Sequence, residues 1–342
     1  MAQQQLVCVA LLSLLTACGG SDTSESSGTS RFSLQVSDAP VDSVQKVCIA
    51  IAGLQLNDAN DSALASWAPL DLLPTDNDDG CLPTGYTIPT DTNGNPRFLY
   101  LDLLHYQDGD SFALLSNQNI AAGDYQQLRL QVEDGRSASL DGIDDHPSSY
   151  VLDDAGNTLP LEVPSSELKL HGFTAPADGV ASFQLEFNLR HAMVLPGHGN
   201  YYKLKPNGVS LLEVATLTTL QGQVAADLCG GVLDNAGVYL YPARGESLLP
   251  YLGLNSDATS GGPVMTALLQ AATDSTAASY RLDYVNAGSY DLQLVCNASE
   301  DEVLDSGSSD FIPAIGSSQL GIDVDPAVAN PQIIDLTEVP IT

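Results

Sequence analysis

Six cysteines, five histidines and 43 acidic residues are the side chains of this 342-residue chain that could carry chemistry. Their spacing argues against most of it. No CxxC pair occurs, so a zinc site of ordinary ligand spacing is not expected. His105, His146, His171, His191 and His198 are scattered, and only His191 and His198 could approach each other across a turn. There is no GxSxG elbow, no GxGxxG, no P-loop and no HExxH. Paired carboxylates could hydrolyse glycosides, but acidic residues are so abundant that no pair stands out. The acidic turns remain: Asp71, Asp76, Asp78, Asp79 and Asp91, then Asp141, Asp144 and Asp145, then Asp153 and Asp154. Calcium takes oxygen ligands gathered on such loops. The EF-hand spacing fails, because counting back from Gly80 or Gly94 puts Thr75 or Pro89 where the first Asp should stand. The expectation is no catalytic residue and no metal ligand, with Ca²⁺ on an acidic loop the one cofactor left open.

The cysteines say more. Cys8 lies inside an apolar leader, Leu6 to Ala17, interrupted only by Ser13 and Thr16. That run is shorter than the roughly 20 residues a membrane-spanning helix needs and fits the apolar region of a secretory signal. Its start, Met1 to Gln5, lacks the usual Lys or Arg. Leu15-Thr16-Ala17-Cys18 resembles the bacterial lipobox. The resemblance implies cleavage before Cys18 and lipidation there, with a plain secretory signal as the alternative. Two or three acyl chains would hold the protein on a membrane, where one binds only marginally. Gly19, rather than Asp, follows the cysteine, which by analogy with enterobacterial sorting favours the outer membrane. Residues 18–31 are polar and rich in Gly and Ser, as in a flexible tether. Cys48, Cys81, Cys229 and Cys296 form an even set in a chain read as exported, and four cysteines allow three pairings. Keeping each bridge within one proposed domain favours Cys48–Cys81 and Cys229–Cys296, each contributing about 2–4 kcal/mol. Four free buried thiols are the other reading.

Those cysteines need elements to place them. Phe32, Leu34 and Val36 alternate with polar residues until Asp38-Ala39-Pro40 breaks the run. Val47, Ile49 and Ile51 repeat the pattern, as do Leu128, Leu130 and Val132. The clearest case is Phe183, Leu185, Phe187 and Leu189 against Gln184, Glu186, Asn188 and Arg190. Strict alternation predicts strands with one wet and one dry face. The fold class expected is all-β: two antiparallel β-sandwich domains, prealbumin- or Ig-like, at 32–214 and 215–342. In the second, strands are expected at Val238–Tyr241, Ala278–Val285, Tyr290–Cys296 and Ile333–Val339, with a short helix over Pro263–Ala272. Cys296 shares the phase of Leu292 and Leu294 and should face the core. Tyr201, Tyr202, Tyr239 and Tyr241 could make an aromatic face, although alternation places at least half in the core. Trp67 sits in a polar stretch, Asn57 to Pro96, and could be a contact residue. Glu300, Asp301, Glu302 and Asp305 read as a charged turn.

Five segments resemble a bacterial family, domain of unknown function 4382. They are SLQVSDAPV (33–41), AGDYQQLRLQV (122–132), PSSELKLHGF (164–173), FQLEFNLRHAM (183–193) and YYKLKPNGVSLLE (201–213). The resemblance implies a β-sandwich on an exported, often lipid-anchored protein, with residues 57–96 as an insertion. It implies no activity. The run SYRLDYVNAGSYDLQLVC (279–296) is similar to the late hairpin of transthyretin-like and carboxypeptidase-regulatory-like sandwiches, which implies an accessory sandwich.

The 43 acidic residues outnumber 11 Lys and Arg, for a net charge of −32. Such a surface repels nucleic acid and suits salty water. Together these features predict a non-enzymatic, lipid-anchored cell-envelope protein on the bacterial outer membrane, facing periplasm or cell surface. Its partners would be the membrane, through Cys18, and a protein or glycan ligand. The alternatives are an envelope hydrolase using loop carboxylates and a calcium-dependent adhesin.

Overall fold

The computed structural model describes residues 28–39, 44–72, 78–140, 143, 146–245, 250–270, 277–303 and 311–337. The 1–17 signal segment, Cys18 and the tether up to residue 27 lie outside the described residues. A strand takes in residues 29–31, which composition had assigned to the tether. Their side chains are polar, but their backbones pair with Ala121, Ile120 and Asn119 across the edge of a sheet. A ladder of main-chain hydrogen bonds needs no apolar side chain.

Strands dominate, and the α-helical part of the described residues is one turn, Leu189–Ala192. The first core lies between two sheets. One holds four strands in the order Val209–Glu213, Val180–Asn188, Thr29–Ala39 and Phe112–Ala121. The other is larger and is centred on Val44–Asn57 and Gly123–Val132. Phe32, Leu34, Val36, Leu185 and Phe187 meet Val47, Ile49, Ile51, Leu128 and Leu130 between them. The sandwich is not purely antiparallel. Thr29–Ala39 runs parallel to Val180–Asn188, from Arg31 opposite Val180 to Ala39 opposite Asn188. Tyr202–Leu204 is likewise parallel to Thr158–Glu162, and Gln332–Ile333 to Leu217–Ala225. Alternation reports which face is dry but not which way a neighbour runs.

The Val44–Asn57 strand is buried on both faces over residues 47–51. Val47, Ile49 and Ile51 face the first core, while Cys48 and Ala50 back onto Cys81, Phe98, Tyr100, Leu140 and Tyr150. The 57–96 insertion is therefore a cover for the outer face, held by a Cys48–Cys81 disulfide. Within it, Ala63–Trp67 pairs with the end of Val44–Asn57. Trp67 is half-buried with its ring stacked on Phe32 at 5.7 Å, a packing residue rather than a free contact.

The second core lies between a three-stranded sheet (Ala277–Asn286, Leu217–Ala225, Gln332–Ile333) and a four-stranded one (Met265–Leu268, Gly237–Pro242, Gly288–Val295, Ile315–Val324). Leu220, Val238, Leu240, Tyr280, Leu282, Leu292 and Leu294 fill it. Three expectations are corrected here. The helix over Pro263–Ala272 is instead a strand, Met265–Leu268, paired with Gly237–Leu240, and residues 271–272 lie outside the described set. Pairing with a neighbouring strand satisfies this backbone, whereas an isolated helix of about ten residues is marginal. Of the Ile333–Val339 strand, the described residues show Gln332–Ile333 plus a bridge from Leu336 to Val224, and residues 338–339 lie outside the described set. The 279–296 hairpin is not a paired hairpin either. Its first strand pairs with Leu217–Ala225 and its second with Gly237–Pro242, so the turn carries the chain from one sheet to the other.

Cys229 and Cys296 are bonded, and both are only partly buried, so Cys296 lies at the rim of the core rather than within it. Gly316 packs over this bridge, where a Cβ would come within 2.5 Å of the Cys296 sulfur. Among the described residues no helix is long and apolar enough to cross a membrane.

Candidate functional site

The wet face expected of the Val180–Asn188 strand is covered. Gln184 and Glu186, both polar and both opposite in phase to the core residues Phe183, Leu185 and Phe187, are 1% and 4% exposed. The cover is the second sandwich, which lies across the outer face of the four-stranded sheet. Arg190, at the helical turn that ends the strand, reaches into it. Its guanidinium donates to the Tyr239 hydroxyl at 3.3 Å, to the Thr266 hydroxyl at 3.5 Å and to the Ala298 carbonyl. Tyr239 in turn donates to Asp301 at 2.9 Å, and the Leu254 amide donates to the same carboxylate oxygen at 2.9 Å. Burial raises the Asp301 carboxyl above its ordinary value, against these bonds. Asp301, read from sequence as part of a charged turn, is thus a buried residue that supports Tyr239 behind the Arg190 contact.

A second set of contacts closes the far side. Tyr284 donates from its hydroxyl to the carbonyls of Gly109 and Asp110 at 3.0 and 3.3 Å. Gln270 donates to Asp108 at 3.3 Å. Tyr284 sits in a β-bulge where the register of Leu217–Ala225 against Ala277–Asn286 shifts, and its φ is +58°. A bulky residue in left-handed backbone is an outlier that needs support, and the bulge turns its side chain toward the first sandwich. Gly109 approaches just as closely, since a Cβ there would meet the Arg281 guanidinium at 2.7 Å.

Between these two sets of contacts lies a cleft of about 330 Å³, lined from the first sandwich by Glu186, Asn188, His191, Asn207 and Ser210. Asp257, Tyr284, Asn286 and Tyr290 line it from the second. Its volume is at the small end of the range for ligand pockets, about 300–1,000 Å³. Ser37 donates to Glu186 Oε2 from the neighbouring strand. Burial pushes the Glu186 carboxyl up to about 8; the Ser37 bond opposes this and the charge of Asp283 adds to it. Asp38 behaves alike. Burial holds it well above the usual carboxylate range, against a 2.8 Å bond from Gln107. Burial also drives Tyr284 up to about 12 and holds His191 below its ordinary value, the latter with help from Lys205. The cleft therefore favours the protonated form of Glu186 and the neutral form of His191.

The residues singled out from sequence fall elsewhere, with one exception. His191 lines the cleft, with Asn207 within 3.5 Å. His198 closes the turn Pro196–His198, and its side chain lies outside what is described. His105 stands between Asp79, at 2.8 Å, and Asp102, at 3.7 Å, beside the insertion. His146 packs edge-on against Tyr150, and His171 is exposed on its strand. The acidic turns cap their own backbones. Asp91 accepts from the amides of Asn93 and Asn95, and Asp153 from Asn157, which lowers both carboxyls below their ordinary value. Asp71 caps Ala68, and Asp78 caps Gly80. Asp76, Asp141, Asp144, Asp145 and Asp305 lie outside the described residues. Among the described residues, no three His, Cys, Asp or Glu gather to hold a metal. The aromatic face does not form. Tyr239 and Tyr241 are fully buried, Tyr202 is half-buried against the first core, and Tyr201 lies under Arg136 at 3.9 Å.

Glu186, Arg190 and Asp38 were missed by sequence reasoning. By alternation they look like ordinary outward residues, and the sandwich that covers them begins only at Leu217–Ala225, far on in the chain.

The model of a family named for a domain of unknown function, DUF4382, matches residues 29–206. No curated protein matches the chain. Among solved structures, the Bacillus anthracis TIE protein is 12% identical with a TM-score of 0.17, the match covering 91% of this chain and 34% of that one. The chain thus spans about a third of the TIE protein. A candidate cell adhesion protein from Bacteroides fragilis is 11% identical with a TM-score of 0.20, covering 90% of this chain and 91% of that one. A candidate adhesin from Bacteroides ovatus is 9% identical with a TM-score of 0.19, covering 96% and 100%. Likenesses of this size carry no weight for function.

Proposed function

We propose, for a chain that belongs to the DUF4382 family, a non-enzymatic role at the bacterial cell envelope: recognition of a glycan or protein partner by a lipid-anchored pair of sandwiches. The observation that carries the reading is the interdomain cleft. Polar groups from both sandwiches converge on one concave surface, and the bonds of Arg190 and Tyr284 hold the two walls together. Two disulfides suit an oxidising compartment, in keeping with export. The lipobox-like Leu15–Cys18 supports an acyl anchor at Cys18, on the outer membrane. The full chain is expected to bind members of a glycan array, and Ser210→Trp, a wedge in the cleft wall, is expected to abolish that binding. Unchanged binding by the wedge variant would remove the cleft from the account. Mass spectrometry of the protein from its native membrane tests the anchor, and an unmodified Cys18 thiol or an uncut leader would refute it.

One observation favours the hydrolase as a second reading. A carboxyl kept protonated near neutral pH is what a general acid requires, and Glu186 shares its cleft with Asp257. Turnover of chromogenic glycosides that collapses with Glu186→Gln would move the protein to this class.

A further inference from the structure

Charge in the cleft is one-sided. Glu186 and Asp257 line it from opposite sandwiches, and no described Lys or Arg side chain does. Behind Glu186, the carboxyls of Asp38, Asp108 and Asp283 surround a narrow gap. The cation in that gap, Arg281, is already bonded to Asp283 at 2.6 Å. Glu186 is 4% exposed, and Ser37 donates to its Oε2, but no described residue donates to its Oε1. A buried carboxyl with an open oxygen and no bonded cation lacks the partner that would stabilise its charge. Around it, Asn188, Asn207, Ser210 and Asn286 offer neutral donors and acceptors of the kind that meet hydroxyl groups. A volume of about 330 Å³ admits about one sugar unit, free or at the end of a glycan.

We infer that the cleft takes a small hydroxylated amine, an amino sugar in chemical class, with its ammonium on the Glu186 carboxylate. This rests on the cleft reading above and names the chemistry of its ligand. Asp257 on the opposite wall adds attraction at the entrance, and the amides and hydroxyls hold the ligand's hydroxyls.

In the empty cleft Glu186 keeps its proton up to about pH 8, so an ammonium must displace it. Binding then releases one proton, and affinity rises about tenfold per pH unit below that value. The titratable and charged groups facing Glu186 are Asp38 on its neighbour strand and Asp108 on the adjoining loop. Arg281, Asp283 and Tyr284 face it from Ala277–Asn286, with His191, Asp257 and Tyr290 around the cleft.

Calorimetric titration of the full chain in detergent with glucosamine and with glucose, at pH 6 and 7 in buffers of different ionisation heat, tests this. Glucosamine is expected to bind about tenfold tighter at pH 7 than at pH 6, releasing one proton, with glucose at least tenfold weaker and independent of pH. Glu186→Gln should abolish the pH dependence and the preference for the amine. Asp257→Asn, on an exposed loop and so independent of any folding defect in the first variant, should weaken glucosamine several-fold and leave glucose unchanged. Glucose binding as tightly as glucosamine, or glucosamine binding without pH dependence, overturns the ammonium assignment and leaves the cleft standing as a neutral-sugar site. Failure of glucosamine to bind at either pH also overturns it. Sugar binding that survives Ser210→Trp overturns the cleft reading itself.

Discussion

Glu186 is carried into the interior with a serine hydroxyl and no bonded cation, and this shapes the pH response of the fold. Its folded-state value, about 8, lies above the ordinary carboxyl value near 4.3 that holds in the unfolded chain. Between these two values the folded state keeps a proton that the unfolded state gives up. Stability therefore falls as pH rises from about 4.5 to about 8, by at most about 1.4 kcal/mol per unit. Asp38, Asp102 and Asp301 are raised by burial and act in the same direction. Asp91 and Asp153 are lowered, so their contribution has the opposite sign and is lost only as acid protonates them. Glu186→Gln is expected to make the profile between pH 5 and 8 less steep and to be more stable than the parent at pH 8. Urea unfolding at pH 5, 6.5 and 8 reads this directly. A parent curve that rises toward pH 8 would mean that Glu186 is ionised in the fold.

The Val44–Asn57 strand shows what one element can carry on two faces. Its odd residues were visible as a core stripe. Its even residues, Cys48 and Ala50, are small and opposite in phase to that stripe, and they hold the insertion in place. Cys81→Ser should cost about 2–4 kcal/mol and make the 57–96 segment sensitive to protease while the central sheet persists. Equal denaturant midpoints with and without reductant would show that the bridge contributes nothing. In the second sandwich the sensitive point is Gly316. Gly316→Ala pushes a methyl against the Cys229–Cys296 bridge, and a loss of about 1–3 kcal/mol is expected by chemical denaturation.

Among the described residues, side-chain hydrogen bonds from Arg190, Tyr284 and Gln270 couple the two sandwiches. Arg190→Ala removes the donor from Tyr239, Thr266 and the Ala298 carbonyl and leaves buried acceptors unpaired, at about 1–3 kcal/mol for each. A single calorimetric transition in the parent should split into two in the variant, because each sandwich has its own core. One unchanged transition would show that the domains are held by other contacts. The net charge of −32 repels itself across the whole molecule, so added salt is expected to raise the melting temperature of parent and variant alike.

Much of the architecture could be read along the chain, because burial in a sheet writes itself as a period of two. The all-β sandwich, the stripes at Phe32–Val36 and Phe183–Phe187, and the in-domain pairing of Cys48 with Cys81 and Cys229 with Cys296 all follow from local pattern and composition. Strand direction, the short strand at Met265–Leu268 and the crossing of the 279–296 turn between sheets depend on which distant backbone is free to pair. The cleft depends on docking. Alternation marks Glu186 as outward from its own sheet, which is correct, and carries no trace of a second sheet lying on top of it. Residues far apart in sequence make that site, and no local signal could have joined them.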